Sequence, residues 1–434
     1  MIRLLFALAV AAALAAAGAW VADNPGRVAI EFDNHRLDTS IAMLAVAVAV
    51  LMLLSALLML AWRWITTGLW ERQALSRHRR GYNELAWGLS ALMESDGKRA
   101  TRHAKKFEEL VGQTALSDVL AGQAALAEGD MATARKRFRA LEGDRRTKAL
   151  ALHGLFAADT VQGDRPAMLA TARRAIEQLP RADWAQTGLF ESAAALGDWP
   201  AADKALLAAY RSKRVSDAEF RHRRATIRLA EARKADTESR NEEALKLARE
   251  AIKLEPELVP ARLLAAAQYR KNGALRRARA TVREGWRHAP HPDLSAAWLD
   301  MADDNSAGHQ YQQLEALVAE RQTVEGHLAL ARQAIAADLP GPARGHLTAA
   351  LELNPQRRVY QTLEVLEQKL GNDTAARFAA TKAASAPRDP AWQCTNCGYR
   401  QSIWSELCGS CGSFATLEWT AVRKEEMATP LQPI

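Results

Sequence analysis

Residues 122–141 read GQAALAEGDMATARKRFRAL, and this stretch decides the fold. A small apolar run from Gly122 to Leu126 meets a Gly129-Asp130 turn, followed by Ala134, Phe138 and Leu141 at helical spacing. Downstream, Gly163-Asp164 leads to Met168 and Ala172, and Gly197-Asp198 leads to Ala202, Leu206 and Ala209. Ala100, Ala134, Met168 and Ala202 are each 34 residues apart. The step returns as 34 from Ala244 to Ala278 and as 33 from Ala343 to Ala376. Pro256, Pro290 and Pro355 lie twelve residues after Ala244, Ala278 and Ala343, where a helix should stop.

Small residues at these positions let two antiparallel helices pass closely; a large side chain would push them apart. The step and the residue types predict an all-α array of tetratricopeptide type, an α-solenoid of stacked helix pairs over residues 82–386. Two irregularities interrupt it. Ala202 to Ala244 is 42 residues, with the surplus near the polar stretch 234–243, and Ala278 to Ala343 is 65, which leaves room for a degenerate copy near 308–320. Composition agrees with helices: 49% of the 434 residues are apolar and 25% charged, which excludes wholesale disorder, while aromatics are only 6%. The net charge of +8 admits an anionic partner without choosing one. Arginines recur on the repeat helices, among them Arg135, Arg173, Arg174, Arg223, Arg224 and Arg279. They read either as a basic groove for acidic protein segments or, as the plainer expectation, as a solvated outer face.

Two apolar runs precede the repeats, at about 2–21 and 41–61, each long enough to span the ~30 Å core of a bilayer. The first has a second reading as a cleaved signal peptide, with Arg3 near its start and Ala15–Ala17 as the cleavage region. Residues 22–40 hold Arg27 and Arg36 against four acidic residues, whereas Arg63, Arg72, Arg77, Arg79 and Arg80 follow the second run. The positive-inside rule then predicts a multi-pass inner-membrane anchor at 1–81, ending in a juxtamembrane basic helix, with the repeats in the cytoplasm. Trp62, Trp64 and Trp70 fit the interfacial aromatic belt. Inner-membrane lipids are therefore expected partners.

Cys394, Cys397, Cys408 and Cys411 are the chain's four cysteines, spaced C-x2-C-x10-C-x2-C. Each pair can turn as a knuckle that aims two thiolates at one ion, with Gly398 and Gly412 following. Four thiolates with no open position describe a closed structural site, normally Zn2+; rubredoxin-type iron is the alternative. A module of some 30 residues, 387–420, needs the ion to fold. Trp392, Tyr399, Trp404, Phe414 and Trp419 are expected to pack around it and against the last helices, with 421–434 a flexible tail. Only Arg400 is basic between Trp392 and Trp419, so no nucleic acid is expected.

No nucleotide-binding glycine motif, phosphate loop, metalloprotease helix or nucleophile elbow occurs, and no enzymatic activity is expected. His288 and His291 bracket Pro290 at a repeat boundary, which gives little reason to read them as ligands; His78 and His103 are candidates only for a haem ligand.

Residues 24–40, with Asp33-Asn34 and then Leu37-Asp38-Thr39-Ser40 running into the second apolar stretch, resemble the proteobacterial HemY family of inner-membrane proteins linked to haem biosynthesis. The architecture is similar from residue 1 to about 386. The resemblance implies a membrane scaffold that recruits other proteins through its repeat groove, late haem-synthesis enzymes among them; direct haem or porphyrin binding is an alternative. The cysteine tail departs from the shorter members of that family. It resembles the rubredoxin-like end of the lipopolysaccharide assembly protein B family, which implies as a further alternative a regulator of lipopolysaccharide assembly acting through a membrane protease and a biosynthetic enzyme.

Overall fold

The computed structural model describes residues 26–32, 35–180 and 182–421, with scattered positions before them (12, 15–16, 18–20 and 23). The first predicted span lies for the most part outside the described residues, as does the tail beyond 421. Two compact units, 1–129 and 130–434, are each taken by themselves.

In the first unit, strands β1 (Arg27–Phe32) and β2 (His35–Ser40) form an antiparallel hairpin in which Arg27 faces Ser40 and Phe32 faces His35. Ser40 ends the hairpin and caps the next helix, its hydroxyl accepting from Met43 N at 3.3 Å. That helix, α1 (Ile41–Met93), runs 53 residues without a break. Its first 24, Ile41–Trp64, are apolar, long enough to cross a membrane and entirely unburied. Among the described residues this is the one candidate span. The end of α1 packs on α2 (Gly97–Val111) and α3 (Ala115–Glu128) around Ala91, Ala100, Phe107 and Leu120. No separate helix begins at residue 82: the basic juxtamembrane segment and the first repeat helix belong to one rod, since no proline interrupts 41–93.

The second unit is helix after helix: α4 (Met131–Ala140), α5 (Lys148–Gln162), α6 (Arg165–Gln178), α7 (Asp183–Ala195), α8 (Trp199–Arg211), α9 (Asp217–Thr237), α10 (Asn241–Leu254), α11 (Val259–Lys271), α12 (Leu275–His288), α13 (Pro292–Leu299), α14 (Ala307–Val318), α15 (Val324–Ala336), α16 (Pro340–Leu353), α17 (Arg357–Lys369) and α18 (Asp373–Ser385). The anchors sit where helices touch. Ala100, Ala134, Ala202, Ala244, Ala278 and Ala343 have no exposed surface, and Met168 and Ala376 are buried. Each Gly-Asp pair ends one helix and starts the next. Gly163 and Gly197 adopt φ of +72° and +71°, a left-handed conformation that costs other residues more. Asp96, Asp130, Asp164 and Asp198 then cap α2, α4, α6 and α8 through the backbone N–H three residues on, at 2.9–3.2 Å. α10, α12 and α16 end at Leu254, His288 and Leu353, each two residues before its proline.

The irregular steps have simple causes. α9 is 21 residues long, which absorbs the surplus between Ala202 and Ala244. The 65-residue step holds the short helix α13, then α14 and α15.

The arginines largely keep to the solvated surface, with Arg173 and Arg174 53% and 46% exposed, and many of them are paired with carboxylates rather than free. After three of the anchors, Ala134, Ala202 and Ala343, the next residue ties its helix to a later one: Arg135 bonds Asp159 at 2.7 Å, Asp203 bonds Arg228 at 2.7 Å and Arg224 at 3.0 Å, and Arg344 bonds Glu367 at 2.6 Å. Arg173 pairs with Asp198, Arg174 with Glu142 and Arg223 with Glu219. Asp159 is buried and also accepts from Thr171 at 3.0 Å, so α4, α5 and α6 share one carboxylate. Carboxylates on the same helix or on an earlier or later one thus pair with these guanidinium groups.

A Cβ on Gly154 would lie 2.3 Å from the ring of Phe138, which is itself buried, whereas one on Gly345 would meet nothing. Gly154→Ala is therefore expected to cost about 1–3 kcal/mol by overpacking. Gly345→Ala should instead gain about 0.5–1 kcal/mol from helix propensity. Denaturation midpoints of the two variants, moving in opposite directions, would check this; a stable Gly154→Ala would contradict the close approach.

Candidate metal centre and its docking face

Residues 391–420 fold as a three-stranded antiparallel sheet in the order β4-β3-β5, with β3 (Ala391–Cys394) central, β4 (Arg400–Gln401) and β5 (Leu417–Thr420). Cys394 closes β3, and the chain then turns through Cys397, where Gly398 takes φ of +74°. Gly412 repeats that turn after Cys411, with φ of +68°. In each knuckle the glycine N–H bonds the carbonyl of the first cysteine, at 2.8 Å for Gly398 to Cys394 and 2.9 Å for Gly412 to Cys408.

The four Sγ atoms lie within 4.8 Å of one another. The Cys394–Cys411 and Cys397–Cys408 sulfurs are 3.7 and 3.6 Å apart, and all four cysteines are free thiols. Metal–sulfur bonds of about 2.3 Å at tetrahedral angles separate sulfurs by about 3.8 Å, so the cluster suits one ion. Cys397 N and Ser410 N donate to the sulfurs of Cys394 and Cys408 at 3.5 Å, Thr416 Oγ1 lies 3.2 Å from Cys394 Sγ, and the Cys411 thiol donates to Ser413 Oγ at 3.2 Å. Burial pushes the Cys411 thiol up, but Ser413 together with the thiols of Cys397 and Cys408 brings it down to about 6, while burial and the neighbouring cysteines push Cys397 up to about 12, so one proton is shared unevenly across the cluster. The N–H donors favour thiolates, the form that binds metal.

The module does not rest on the last helices. Its aromatic residues lie on α7 to α11 and the start of α13, because small and apolar side chains there leave a strip for it. Trp392, Cys394, Trp404, Cys408 and Leu417 form one buried cluster with Ala225, Leu229, Ala251, Leu258 and Ala261. Phe414 meets Phe190 edge-on at 5.6 Å and Trp199 at 5.9 Å. Arg233 lies 4.7 Å over the Trp404 ring and reaches Glu406 at 3.1 Å. Tyr399 stays exposed. The connection back is held at Asp389, which accepts from Arg358 N at 2.8 Å, while Pro387 O accepts from Arg357 N at 3.3 Å.

Two histidines meet the module. His291 is 2% exposed, with Trp392 and Trp419 at 5.3 and 4.2 Å between ring centres. Its Nδ1 accepts from Asp293 N at 3.1 Å, which places the proton of the neutral ring on Nε2, a buried atom with no hydrogen-bond partner. Burial, then the charge of Arg358, holds it down to about 4. His222 has its Nε2 3.1 Å from Ala415 O, and Glu255 beside it raises its pKa above 6.5. Neither His291 nor His222 sits in a motif that would single it out; only the pairing of remote segments reveals them. His103 bonds Glu84 at 2.6 Å and His288 pairs with Glu284.

The four cysteines fill one site, and a comparison of the rest of the chain places its beginning. Residues 26–129 match the family described as HemY protein N-terminus. The matched segment covers the hairpin, α1, α2 and α3. A probable magnetosome protein, Mms48 of Magnetospirillum gryphiswaldense, is 30% identical over 190 residues, 43% of this chain and 42% of that protein. The chain thus spans less than half the length of that curated relative. Among solved structures, the Naa15/Naa10 complex bound to HypK-THB aligns over 73% of this chain and 59% of that one, at 14% identity and a TM-score of 0.42. The C-terminal part of a TPR repeat-containing protein from Cytophaga hutchinsonii aligns over 64% and 99%, at 10% identity and a TM-score of 0.32.

Titration has opposite signs at the two histidines. His291 is depressed when docked, so its contribution to docking is complete above about 6.5 and lost as pH falls toward about 4. His222 is raised chiefly by Glu255, itself a residue of the array, so the stability this pair gives the array is present below 6.5 and lost as pH climbs through the elevated value. NMR of the imidazoles should find His291 titrating near 4 and His222 above 6.5; a His291 that titrates at the ordinary value would place it in solvent.

Proposed function

We propose that the chain is a membrane-anchored, cytoplasm-facing protein-interaction scaffold associated with haem biosynthesis, with a structural Zn2+ held by Cys394, Cys397, Cys408 and Cys411. The observation that carries the scaffold reading is the combination in one chain of an unburied 24-residue apolar helix with a long array of packed helices. Helical arrays of this kind present extended surfaces to other proteins. The arginines after Trp62 favour a cytoplasmic array and a first span returning through the inner membrane. The HemY match at 26–129 supports the link to porphyrin synthesis. Zinc suits a closed four-thiolate site in a reducing compartment better than iron does, since it needs no redox partner.

Affinity capture of the full chain from detergent-solubilised membranes should enrich porphyrin-pathway enzymes, and deletion of 130–386 should abolish the enrichment. Recovery of a lipid A enzyme with a membrane protease would move the assignment to lipopolysaccharide regulation, and recovery of general chaperones alone would remove the scaffold reading. Elemental analysis should find one zinc per chain, lost in Cys408→Ser; an iron absorption spectrum would overturn the choice of metal.

A further inference from the structure

The docking face suggests what the metal is for. We propose that the four-cysteine module is a metal-held plug: loaded, it covers the strip formed by α7, α9 and α11, and without metal it leaves that strip open. The proposal builds on the scaffold reading only in supposing that the strip is useful when open; the plugging itself needs no partner.

Four observations converge. First, the module has no core of its own, because its buried residues Trp392, Trp404 and Leu417 are buried jointly with α9, α10 and α11. Its strands are two to four residues long, too little to hold a sheet without the ion. Second, two of the sulfurs, those of Cys394 and Cys408, lie in that same shared cluster, so the geometry of the site and the geometry of the seam are one. Third, the array has its own packing. The anchors Ala244 and Ala278 are not in the strip, and the cluster around Trp286, Leu314 and Leu347 forms without the module. The repeats can therefore stay folded when it leaves.

The fourth is charge. Four thiolates around a divalent ion carry net negative charge, and two cations face it across a cleft of about 560 Å3 that also exposes Cys411. Arg223 is paired with Glu219. Arg165 has no ion-pair partner among the described residues, and its Nη2 lies 3.7 Å from the point that a Cβ on Gly412 would occupy. Glu191 lines the same cleft without pairing with Arg165, so loading brings a second negative charge to these two arginines. The link at Asp389 keeps the module tethered when it is released.

His291 reports the plug, since two indoles of the module, Trp392 and Trp419, lie against its ring. The test is carbethoxylation of the full-length chain by diethyl pyrocarbonate, read by mass spectrometry, with metal content measured in parallel. With Zn2+ bound, exposed His288 should react while His291 and the remote, buried His327 resist. After chelation His291 should react at least about tenfold faster, a release of at least about 1.4 kcal/mol, with His327 still resistant. Cys411→Ser should behave as the chelated chain, and added Zn2+ should not restore protection. His291 staying protected at zero metal would overturn the proposal, as would equal reactivity of His291 and His288 in the loaded chain. Reaction of His327 together with His291 would also overturn it, because the metal would then hold the whole array. Failure of partner capture would leave each of these results standing.

Discussion

How closely two helices can pass is the constraint on which the array depends. Where Ala134, Ala202, Ala244, Ala278 and Ala343 lie, nothing larger than a methyl group separates a helix from its neighbour, and no surface remains for water. Met168 is the exception, a flexible side chain that fits an irregular gap. The close approach explains the 34-residue step, since a helix, a capped turn and a second helix must return the chain to the same contact. It also explains the caps. A Gly–Asp pair reverses direction in two residues while satisfying backbone groups at both helix ends, as an array with short connections requires.

Charge does different work here from what its abundance suggests. A +8 chain with arginines on most of its helices invites the idea of an acidic partner. Yet guanidinium groups beside Ala134 and Ala343 pair with carboxylates of the following helix, and Arg358 is largely buried against Glu325, with Nη1 at 2.8 Å. A buried pair adds little net stability over a hydrophobic one, but it fixes which helix meets which, because a register error would strand a charge. The same logic marks Arg165, which shares a cleft with Glu191 without pairing with it.

Local features were legible in the sequence; contacts between distant segments were not. Ala100, Gly163-Asp164 and Pro256 act within a few residues of themselves, so their spacing carried the helices, turns and stops. The C-x2-C pairs were legible for the same reason, each knuckle being a local turn with its own glycine. The docking of the module was not, because Trp392 meets His291 across a hundred residues and nothing in either segment names the other. The strip that receives it reads simply as an apolar helix face, since Ala225 and Leu229 serve a second contact with residues that suit a first. The continuity of α1 was missed for a different reason. The change from apolar to basic residues near Arg63 looks like a boundary, although composition changes there while helix propensity does not.

That continuity bears on how the protein works. Of the 53 residues of α1, 24 are the apolar stretch, and the remaining 29 extend about 44 Å at 1.5 Å per residue. On the proposed topology the rod leaves the bilayer through the arginine cluster and becomes, with no flexible joint, the helix against which α2 and α3 pack. A linker of the same length would let the first repeat wander; a helix fixes its height and its rotation about the axis. The hairpin contributes at the other end, since Ser40 both closes β2 and caps α1, and Ile41 N bonds Gly26 O at 3.1 Å. Residues 26–129 therefore behave as a single construction, from hairpin to third helix. That is the extent of the HemY match, and a stiff mount at a set distance from the membrane is a sufficient physical reason for those residues to go together.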